Sequence, residues 1–190
     1  YALVSLVVPR SLEKMVFDGI SRGMAEASEK YNVNIVGGNI SRGKEIQITL
    51  TLIGAAKKDE LCLRSGAKPG DFIFVSRPLG ASAAGLALYS RSIRGFEDAK
   101  NKFRNPEADT SFSGRLLAAI SSMIDISDGL LGDLGHVCEA SKAGATLYAS
   151  NIPIHPGALK AAHRLKKDPL DFALHGGEEY ALLYTLPEQH

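Results

Sequence analysis

The chain has 190 residues, of which 45% are hydrophobic and 23% charged, and its formal net charge is +1. This composition is typical of a folded globular protein with one sizeable core or two small ones. The scattered Lys and Arg and the absence of Trp provide neither a basic surface nor base-stacking side chains, which argues against a nucleic-acid partner. The apolar runs are shorter than the roughly 18 residues of a membrane span, so we expect no membrane contact.

Two cysteines bear on location. Cys62 and Cys138 are far apart and belong to no cluster with zinc-ligand spacing. A reducing cytoplasm is therefore the expected location. The chain begins at Tyr1 inside an apolar run and ends soon after another, so we also expect it to be a piece of a longer protein.

Residues 1–56 have the pattern of an α/β block. ALVSLVV predicts a strand, and apolar residues three to four positions apart predict a helix from an N-cap at Ser11 to about Lys30. VNIVGGN predicts a short strand that runs into a double glycine. EIQITLTLIG alternates apolar and polar residues, as in a strand with one buried face and one face that is wet or meets a partner.

The rest of the chain predicts a linker and a second block. Residues 57–68 are polar, and residues 69–190 mix predicted strands (FIFVS, MIDIS, YALLYTL) with predicted helices, among them GASAAGLALYS and GLLGDLGHVCEASKAG. The polar segment from Ser90 to Gly114 is expected to cover the surface. Because strands and helices alternate without a strict rhythm, we predict an α+β fold of two blocks.

The first candidate site is MIDISDGL, residues 123–130. Asp125 ends a predicted strand, and the Ser-Asp-Gly turn chemistry lets Asp128 converge with it. Ser127 or Asp128 is a candidate cap for the following helix, whose N-terminal N–H groups favour anions. Two carboxylates there suit Mg²⁺, which shares its shell with phosphate oxygens. The alternative is a plain N-cap with Asp125 as a surface residue.

Two further glycine pairs precede polar residues. In IVGGNISRG the glycines allow a phosphate to approach while Asn39 offers an oxygen ligand, although the same residues suit a routine turn. In HGGEEY, Glu178 and Glu179 stand before an apolar strand, where they point into a cleft or form an ordinary charged turn. Arg64 is a candidate phosphate contact or an exposed linker residue. The chain contains no P-loop, dinucleotide-binding or kinase signature.

Together, these segments resemble the thiamine-monophosphate kinase family, whose superfamily also contains aminoimidazole ribonucleotide synthetase and selenophosphate synthetase. The resemblance follows one order along nearly the whole chain, through VGGNISRG, RSGAKPGD, GASAAGLAL, MIDISDGLLGDLGH, NIPI and HGGEEYALLYT. It implies the two-block fold of that superfamily, with a partial amino-terminal α/β block. It also implies Mg²⁺-assisted transfer of the γ-phosphoryl group of ATP to thiamine monophosphate, without a covalent enzyme intermediate.

The resemblance also implies roles for particular residues. Asp125 and Asp128 match metal ligands, and Ser127 and Arg64 match ATP contacts. Glu178 matches a contact to the thiamine substrate. No catalytic residue in the strict sense is assigned.

The chain departs from the family pattern at Gly38-Asn39, where the family usually has Gly-Asp. Asn39 would keep an oxygen for ATP and metal but lose a negative charge, which should weaken one Mg²⁺ site. Glu179 stands where the family usually has Asp. The family's amino-terminal metal-binding aspartates, a substrate-contacting His and a carboxyl-terminal aromatic have no counterpart here, so by resemblance this piece alone should not catalyse.

The family dimerises through the strands of its first block, so EIQITLTLIG is the expected interface of a homodimer. Two other readings stay open. One is a different ATP-using reaction on the same scaffold, such as ring closure of a purine precursor or selenophosphate synthesis. The other is a non-catalytic nucleotide-binding module, which Asn39 favours.

Overall fold

The structure is a computed structural model that describes residues 1–58, 61–110, 112 and 114–188. It divides into two compact units, Tyr1–Lys57 and Lys58–His190. Each unit has its own sheet, and the combination of helices and strands confirms the predicted α+β class. None of the helices in the described ranges is long and apolar enough to span a bilayer.

Unit 1 is a three-stranded sheet with one long helix. It consists of β1 (Ala2–Val8), α1 (Lys14–Lys30), β2 (Ile35–Arg42) and β3 (Gln47–Leu52), in the strand order β2-β1-β3. β1 is parallel to β2 and antiparallel to β3, so α1 is the crossover that a parallel pair requires. The order strand, helix, strand, strand was predicted. The predicted cap was wrong, because α1 begins after Glu13 and Ser11 lies in the preceding turn.

β2 runs straight through the double glycine instead of ending before it. The strand continues to Arg42, and Gly38 pairs with Val4 on β1. A Cβ atom on Gly38 would lie 1.8 Å from the carbonyl oxygen of Val4, so only glycine allows the two strands to come this close. Hydrophobic periodicity does not reveal this part of the strand, because residues 37–39 are two glycines and an asparagine.

Much of the apolar surface of unit 1 is exposed. On β1, Ala2, Val4 and Leu6 are buried. Their neighbours on the same face of β3 are Leu52, Leu50 and Ile48, with 70%, 55% and 44% of their surface exposed. The alternation predicted for this strand is therefore present, but within unit 1 its apolar side remains open.

Unit 2 is built around an antiparallel sheet in the order β4-β6-β5. The strands are β4 (Phe72–Val75), β5 (Ser122–Asp125) and β6 (Leu182–Leu186). Six helices surround them: α2 (Ala81–Tyr89), α3 (Glu97–Arg104), α4 (Gly114–Ala119), α5 (Leu130–Ser141), α6 (Pro156–Leu165) and α7 (Pro169–His175). One core cluster joins β5 and β6 to α5 and α7, through residues such as Ile124, Ile126, Leu183 and Val137.

A second core cluster lies between α2, α3, α6 and α7, and it is rich in alanine. Small side chains let these helices approach closely, since a Cβ atom on Gly85 of α2 would lie 2.4 Å from the carbonyl oxygen of Ala99 on α3. This confirms the close approach predicted for GASAAGLALYS. Within the segment predicted as irregular surface, α3 is an unexpected helix that buries Ala99 and Lys100. Most of its residues are charged or polar, so the hydrophobic pattern does not reveal its buried side.

The expected linker, residues 57–68, is partly built into unit 2. Residues 59–60 lie outside the described residues. The amide of Met123 on β5 donates to the carbonyl oxygen of Leu63 at 2.8 Å, and the amide of Ala67 donates to Ser141 Oγ at 3.2 Å. Arg64 therefore lies on a segment held against β5 and α5.

Candidate functional site

The candidate site in unit 2 lies where β5 ends and β6 begins. Because the two strands are antiparallel, Asp125 at the end of β5 pairs with Leu182 at the start of β6. The residues after Asp125 and those before Leu182 consequently lie side by side. The amide of Glu178 donates to the carbonyl oxygen of Ser127, and the amide of Tyr180 donates to that of Ile126, both at 2.9 Å. The sheet thus brings MIDISDGL and HGGEEY together.

Glycines allow these two loops to touch through their backbones. A Cβ atom on Gly177 would lie 2.4 Å from the carbonyl oxygen of Ser127. Gly129 has φ +108°, and a Cβ atom there would lie 2.9 Å from the carbonyl carbon of His175. Both positions therefore require glycine for close approach, and Gly129 also for its backbone conformation. Asp125 and Asp128 are exposed on the outside of this contact, whereas Ile124 and Ile126 are buried beneath it.

The loop between β5 and α5 is held by a buried carboxylate that sequence reasoning did not single out. Asp133 is 2% exposed, and its Oδ2 accepts hydrogen bonds from the amides of Ser127 and Asp128, each at 3.0 Å. The N-cap of α5 is Gly129, with no side-chain cap. The predicted capping by Ser127 or Asp128 was therefore wrong, because the carboxylate comes from inside the helix and reaches back to the loop.

The donor set around the loop suits a hard cation. Ligand atoms of Asp128, Asp133 and His136 lie within 4.8 Å of one another, and this group within the described part of the chain does not include Asp125. Mg²⁺ prefers oxygen ligands and usually takes only one or two carboxylates. The exposed carboxylates of Asp128 and Asp125 fit that requirement, whereas Asp133 is engaged with backbone amides.

Glu178 presents its carboxylate at the surface beside the loop. Its Oε2 accepts a hydrogen bond of 2.7 Å from the hydroxyl of Tyr180. The pKa of Tyr180 is raised, first by this hydrogen bond to Glu178, then by burial and by the negative charges of Glu178 and Asp125. Both Glu178 and Tyr180 have positive φ, at 60° and 50°. The turn therefore has a strained backbone and places the negative charge of Glu178 near Asp125.

Glu179 points the other way, into unit 2. It is 9% exposed, and its Oε1 accepts hydrogen bonds from the amides of Gly80 at 2.9 Å and Ser82 at 3.0 Å, at the N-terminus of α2. Arg77 donates from Nη2 to the carbonyl oxygens of Glu179 and Tyr180. Burial raises the pKa of the Glu179 carboxyl, and the two amides and the charges of Arg77 and Lys102 oppose the rise. Glu179 therefore anchors the turn that presents Glu178.

Replacing Glu179 with Gln should change how stability depends on pH. Since the pKa of Glu179 is raised above its ordinary value of 4.5, the folded chain binds this proton more tightly than the unfolded chain. The free energy of unfolding contributed by this group therefore falls as pH rises from 4.5 to the raised pKa. The stability of Glu179→Gln relative to the parent should increase over that window.

Urea unfolding between about pH 4 and about pH 8 measures this difference. Glu139→Gln on the exposed side of α5 is the matched control for loss of one carboxylate. A relative stability of Glu179→Gln that stays flat or declines with rising pH would contradict the burial argument.

A small charged cavity lies next to the same turn. Its volume is about 180 Å³, and its lining includes Glu178 and Glu179 together with Arg77, Lys102 and His155. His155 Nδ1 accepts a hydrogen bond of 3.0 Å from the amide of Gly157, which leaves Nε2 as the position for the imidazole proton. Both signs of charge are therefore available to a polar ligand that contacts Glu178.

The structure brings several of the predicted site residues of unit 2 together. Asp125, Ser127, Asp128 and Glu178 meet at one end of the sheet of unit 2, and Arg64 lies on the segment beside β5. Gly38 and Asn39 belong to unit 1, where Asn39 pairs with Ser5. Their roles in binding ATP and metal remain predictions.

Sequence reasoning missed two residues, Asp133 and Arg77, and a sequence signal existed only for Asp133. Asp133 interrupts the otherwise apolar buried face of α5, which Leu130, Leu134 and Val137 share, and a carboxylate in such a face normally has hydrogen-bond partners. Arg77 follows directly on β4, where no periodic pattern distinguishes it. Its contacts to the backbone of residues 179 and 180 depend on sequence separations of more than 100 positions.

Known proteins share this architecture. Residues 1–56 match the family model of the AIR synthase related protein, N-terminal domain. Thiamine-monophosphate kinase from Aquifex aeolicus is 32% identical over 193 residues, which cover 100% of this chain and 62% of that protein. The enzyme from Pyrococcus abyssi is 34% identical and covers 97% of this chain and 58% of the relative. A solved structure, AaThiL complexed with AMPPCP and TMP, superposes with a TM-score of 0.91 at 32% identity, over 99% of this chain and 62% of that one.

The chain therefore has the AIR synthase-like fold. Its sequence is similar to those of the thiamine-monophosphate kinases over 97% to 100% of its length. It spans about 60% of the length of the curated relatives that it matches.

Proposed function

We propose that the protein carrying this chain transfers the γ-phosphoryl group of ATP to the phosphate of thiamine monophosphate, giving thiamine diphosphate. The observation that carries the proposal is the superposition on AaThiL complexed with AMPPCP and TMP, at a TM-score of 0.91 over 99% of this chain. AMPPCP is an ATP analogue. The adjacency of Asp125, Asp128 and Glu178 in unit 2 supports it independently, because phosphoryl transfer needs anionic ligands for cations next to a place for the acceptor.

The residues of unit 2 divide between the two substrates in this proposal. Ser127 and Arg64 contact the nucleotide, and Glu178 contacts the cationic thiamine part of the acceptor. Glu178 suits this role because its carboxylate is exposed and is held in place by the hydroxyl of Tyr180. In unit 1, Gly38 and Asn39 approach the polyphosphate.

Magnesium is part of the proposal. Asp125 and Asp128 would hold Mg²⁺ in unit 2, and the side-chain oxygen of Asn39 would serve as a Mg²⁺ ligand in unit 1. Bound Mg²⁺ supplies neutralisation of the charge that develops on the transferring phosphate. The chain's own residues orient the two substrates, so that attack by the acceptor phosphate and departure of ADP occur in line. This account requires no covalent bond to the protein.

Turnover of the complete protein tests the proposed reaction. We expect Mg²⁺-dependent consumption of ATP only when thiamine monophosphate is present, with thiamine diphosphate as product. Glu178→Gln should raise KM for thiamine monophosphate by about 10-fold, since a charged hydrogen-bond partner contributes about 1.5 kcal/mol. ATP consumption that is indifferent to thiamine monophosphate, or that follows a purine precursor or selenide instead, would overturn the assignment.

One observation favours a second candidate, a nucleotide-binding module without catalysis. Asn39 stands where a metal- and nucleotide-contacting Asp is usual by resemblance, and an amide neutralises less charge than a carboxylate. Calorimetric titration with AMPPCP distinguishes the two functions. A module would bind the nucleotide with an affinity that does not respond to thiamine monophosphate, whereas the kinase should show coupled binding.

We further propose that the protein is a homodimer that pairs through unit 1. The apolar face of β3 supports this, because Ile48, Leu50 and Leu52 are 44%, 55% and 70% exposed on one side of the strand. Contiguous apolar surface of this kind commonly marks an interface.

Leu50→Glu is therefore expected to halve the molecular mass of the complete protein. A charge in the middle of an apolar interface costs several kcal/mol unless it is paired. Sedimentation equilibrium at micromolar concentration measures the mass. The control is Thr51→Glu, which changes the neighbouring residue on the opposite face of β3. A parent protein that sediments as a monomer, or a Leu50→Glu protein that remains dimeric, would contradict this interface.

A further inference from the structure

We propose that Asp133 is a positioning residue, which fixes the backbone of Ser127 and Asp128 and so orients their side chains toward the bound nucleotide and metal. Its assignment to phosphoryl transfer rests on the proposed function. The hydrogen-bonding role itself rests on the geometry of the loop. Asp133 is not offered as a metal ligand, because it is only 2% exposed and its Oδ2 already accepts two backbone amides.

The burial of Asp133 is the first step of the inference. A carboxylate that is only 2% exposed is costly unless its oxygens are hydrogen-bonded. The partners here are not helix or core groups but the amides of the two loop residues predicted to contact ATP and metal, each at 3.0 Å. The loop amides therefore provide the hydrogen bonds that the buried carboxylate needs, and the carboxylate in turn fixes the loop backbone.

The second step is the rigidity of the anchor. Asp133 lies in the first turn of α5, and its own amide donates to the carbonyl oxygen of Gly129 at 3.0 Å. Its neighbours on the buried face, Leu130, Leu134 and Val137, belong to the main core cluster of unit 2. A carboxylate at this end of a helix is also stabilised by the helix dipole. The packed core therefore holds the loop in place through the side chain of Asp133.

The third step concerns what the loop presents. The carboxylate of Asp128 remains exposed, and its ligand oxygen lies within 4.8 Å of that of Asp133. Asp133 can therefore act in two ways, by holding the amides or by adding negative charge near Asp128. The proposal is that holding the amides dominates. Asp133→Asn separates the two effects, because an amide oxygen still accepts both N–H groups although the charge is lost.

The test uses the complete protein and Mn²⁺ as the probe. Free Mn²⁺ is followed by electron paramagnetic resonance during titration in the presence of AMPPCP, and amide exchange is measured over residues 126–130. We expect Asp133→Ala to raise the Mn²⁺ concentration for half-saturation by about 10- to 100-fold, the usual effect of losing an outer-shell partner. Exchange at the amides of Ser127 and Asp128 should accelerate. Asp133→Asn should stay within about threefold of the parent, because it retains the acceptor oxygen.

Val137→Ala is the matched control, since Val137 is 2% exposed on the same face of α5 and touches no loop amide of the site. It should lower the melting temperature and leave Mn²⁺ saturation unchanged. Parent-like saturation in Asp133→Ala, or an equal loss in Val137→Ala, would reduce Asp133 to a structural role and overturn the proposal. An Asp133→Asn protein as impaired as Asp133→Ala would assign the effect to charge instead.

If Asp133→Ala does not fold, Asp133→Ser replaces it, with the same expected and contradicting results. The Mn²⁺ and exchange readouts do not require turnover. Should the parent protein fail to phosphorylate thiamine monophosphate, the proposed function would fail while the positioning role would still be decided.

Discussion

Replacing Asp125 with Asn should lower kcat of the complete protein by about 100- to 1,000-fold, which corresponds to about 2.7–4 kcal/mol of lost transition-state stabilisation. Asp125 is the last residue of β5, so its backbone is fixed by pairing with Leu182. Its side chain is exposed on the face opposite to the buried Ile124. Under the proposed function, loss of one negative charge at this position removes a metal ligand without removing a core contact, so the fold should be retained.

The measurement is steady-state turnover of ATP with thiamine monophosphate over a range of Mg²⁺ concentrations. Asp171→Asn is the matched control, because Asp171 is exposed in the first turn of α7 and lies outside the candidate site. Its kcat should be within about twofold of the parent, since a single exposed charge of this kind contributes well under 1 kcal/mol. Undiminished turnover in Asp125→Asn would contradict the proposal that Asp125 binds metal at the end of β5.

Replacing Gly177 with Ala should destabilise the protein and separate the two loops of the site. The added methyl carbon would lie 2.4 Å from the carbonyl oxygen of Ser127, which accepts the amide of Glu178 at 2.9 Å. Backbone has to move to relieve this overlap, at a cost of about 1–3 kcal/mol. Because Glu178 and Asp128 flank the contact, kcat/KM should fall as well, by at least about 10-fold.

Gly135→Ala provides the matched control within α5. A Cβ atom on Gly135 would meet nothing within 4 Å, so alanine should be neutral or stabilise the helix by up to about 1 kcal/mol. Urea unfolding of the two variants and the parent measures the difference. If Gly177→Ala were as stable and as active as Gly135→Ala, backbone contact between the loops would not be what joins the site.

The sequence predicted those elements in which apolar spacing is regular. The helix that became α5 was expected with Leu130, Leu134, Val137 and Ser141 on one face; the three apolar residues are buried, and Ser141 is half-buried. α2 was expected from its small residues, and the alternation in β3 correctly separated its apolar from its polar side. In α5 and α2 the same face of the helix causes both the local pattern and the burial, whereas in β3 the apolar face is distinct in sequence but exposed within unit 1.

The elements that were not predicted lack such a face. α3 consists largely of charged residues and is held by the close approach of Ala99 to Gly85, a contact between residues distant in sequence. β2 passes through Gly37 and Gly38 because β1 provides its hydrogen bonds, which no local propensity reveals. Strand pairing therefore determines where β2 ends, and the pairing partner of a strand cannot be derived from one segment alone.

The sequence predicted which residues form the candidate site but not how the fold brings them together. The motifs identified Asp125, Asp128 and Glu178, yet their adjacency follows from the antiparallel pairing of β5 with β6. The residue pattern alone did not distinguish the two glutamates of HGGEEY, whereas in the structure Glu179 is buried against α2 and Glu178 is exposed. The direction of Glu179 is fixed by the amides of Gly80 and Ser82, which are distant in sequence.

Crystallography of the complete protein with AMPPCP and Mn²⁺ tests the central claim most directly, since the anomalous signal of manganese locates each ion. We predict ions at about 2.1 Å from carboxylate oxygens of Asp125 and Asp128 and in contact with phosphate oxygens of the nucleotide. Ions bound elsewhere, with both aspartates turned away from the phosphates, would contradict the account.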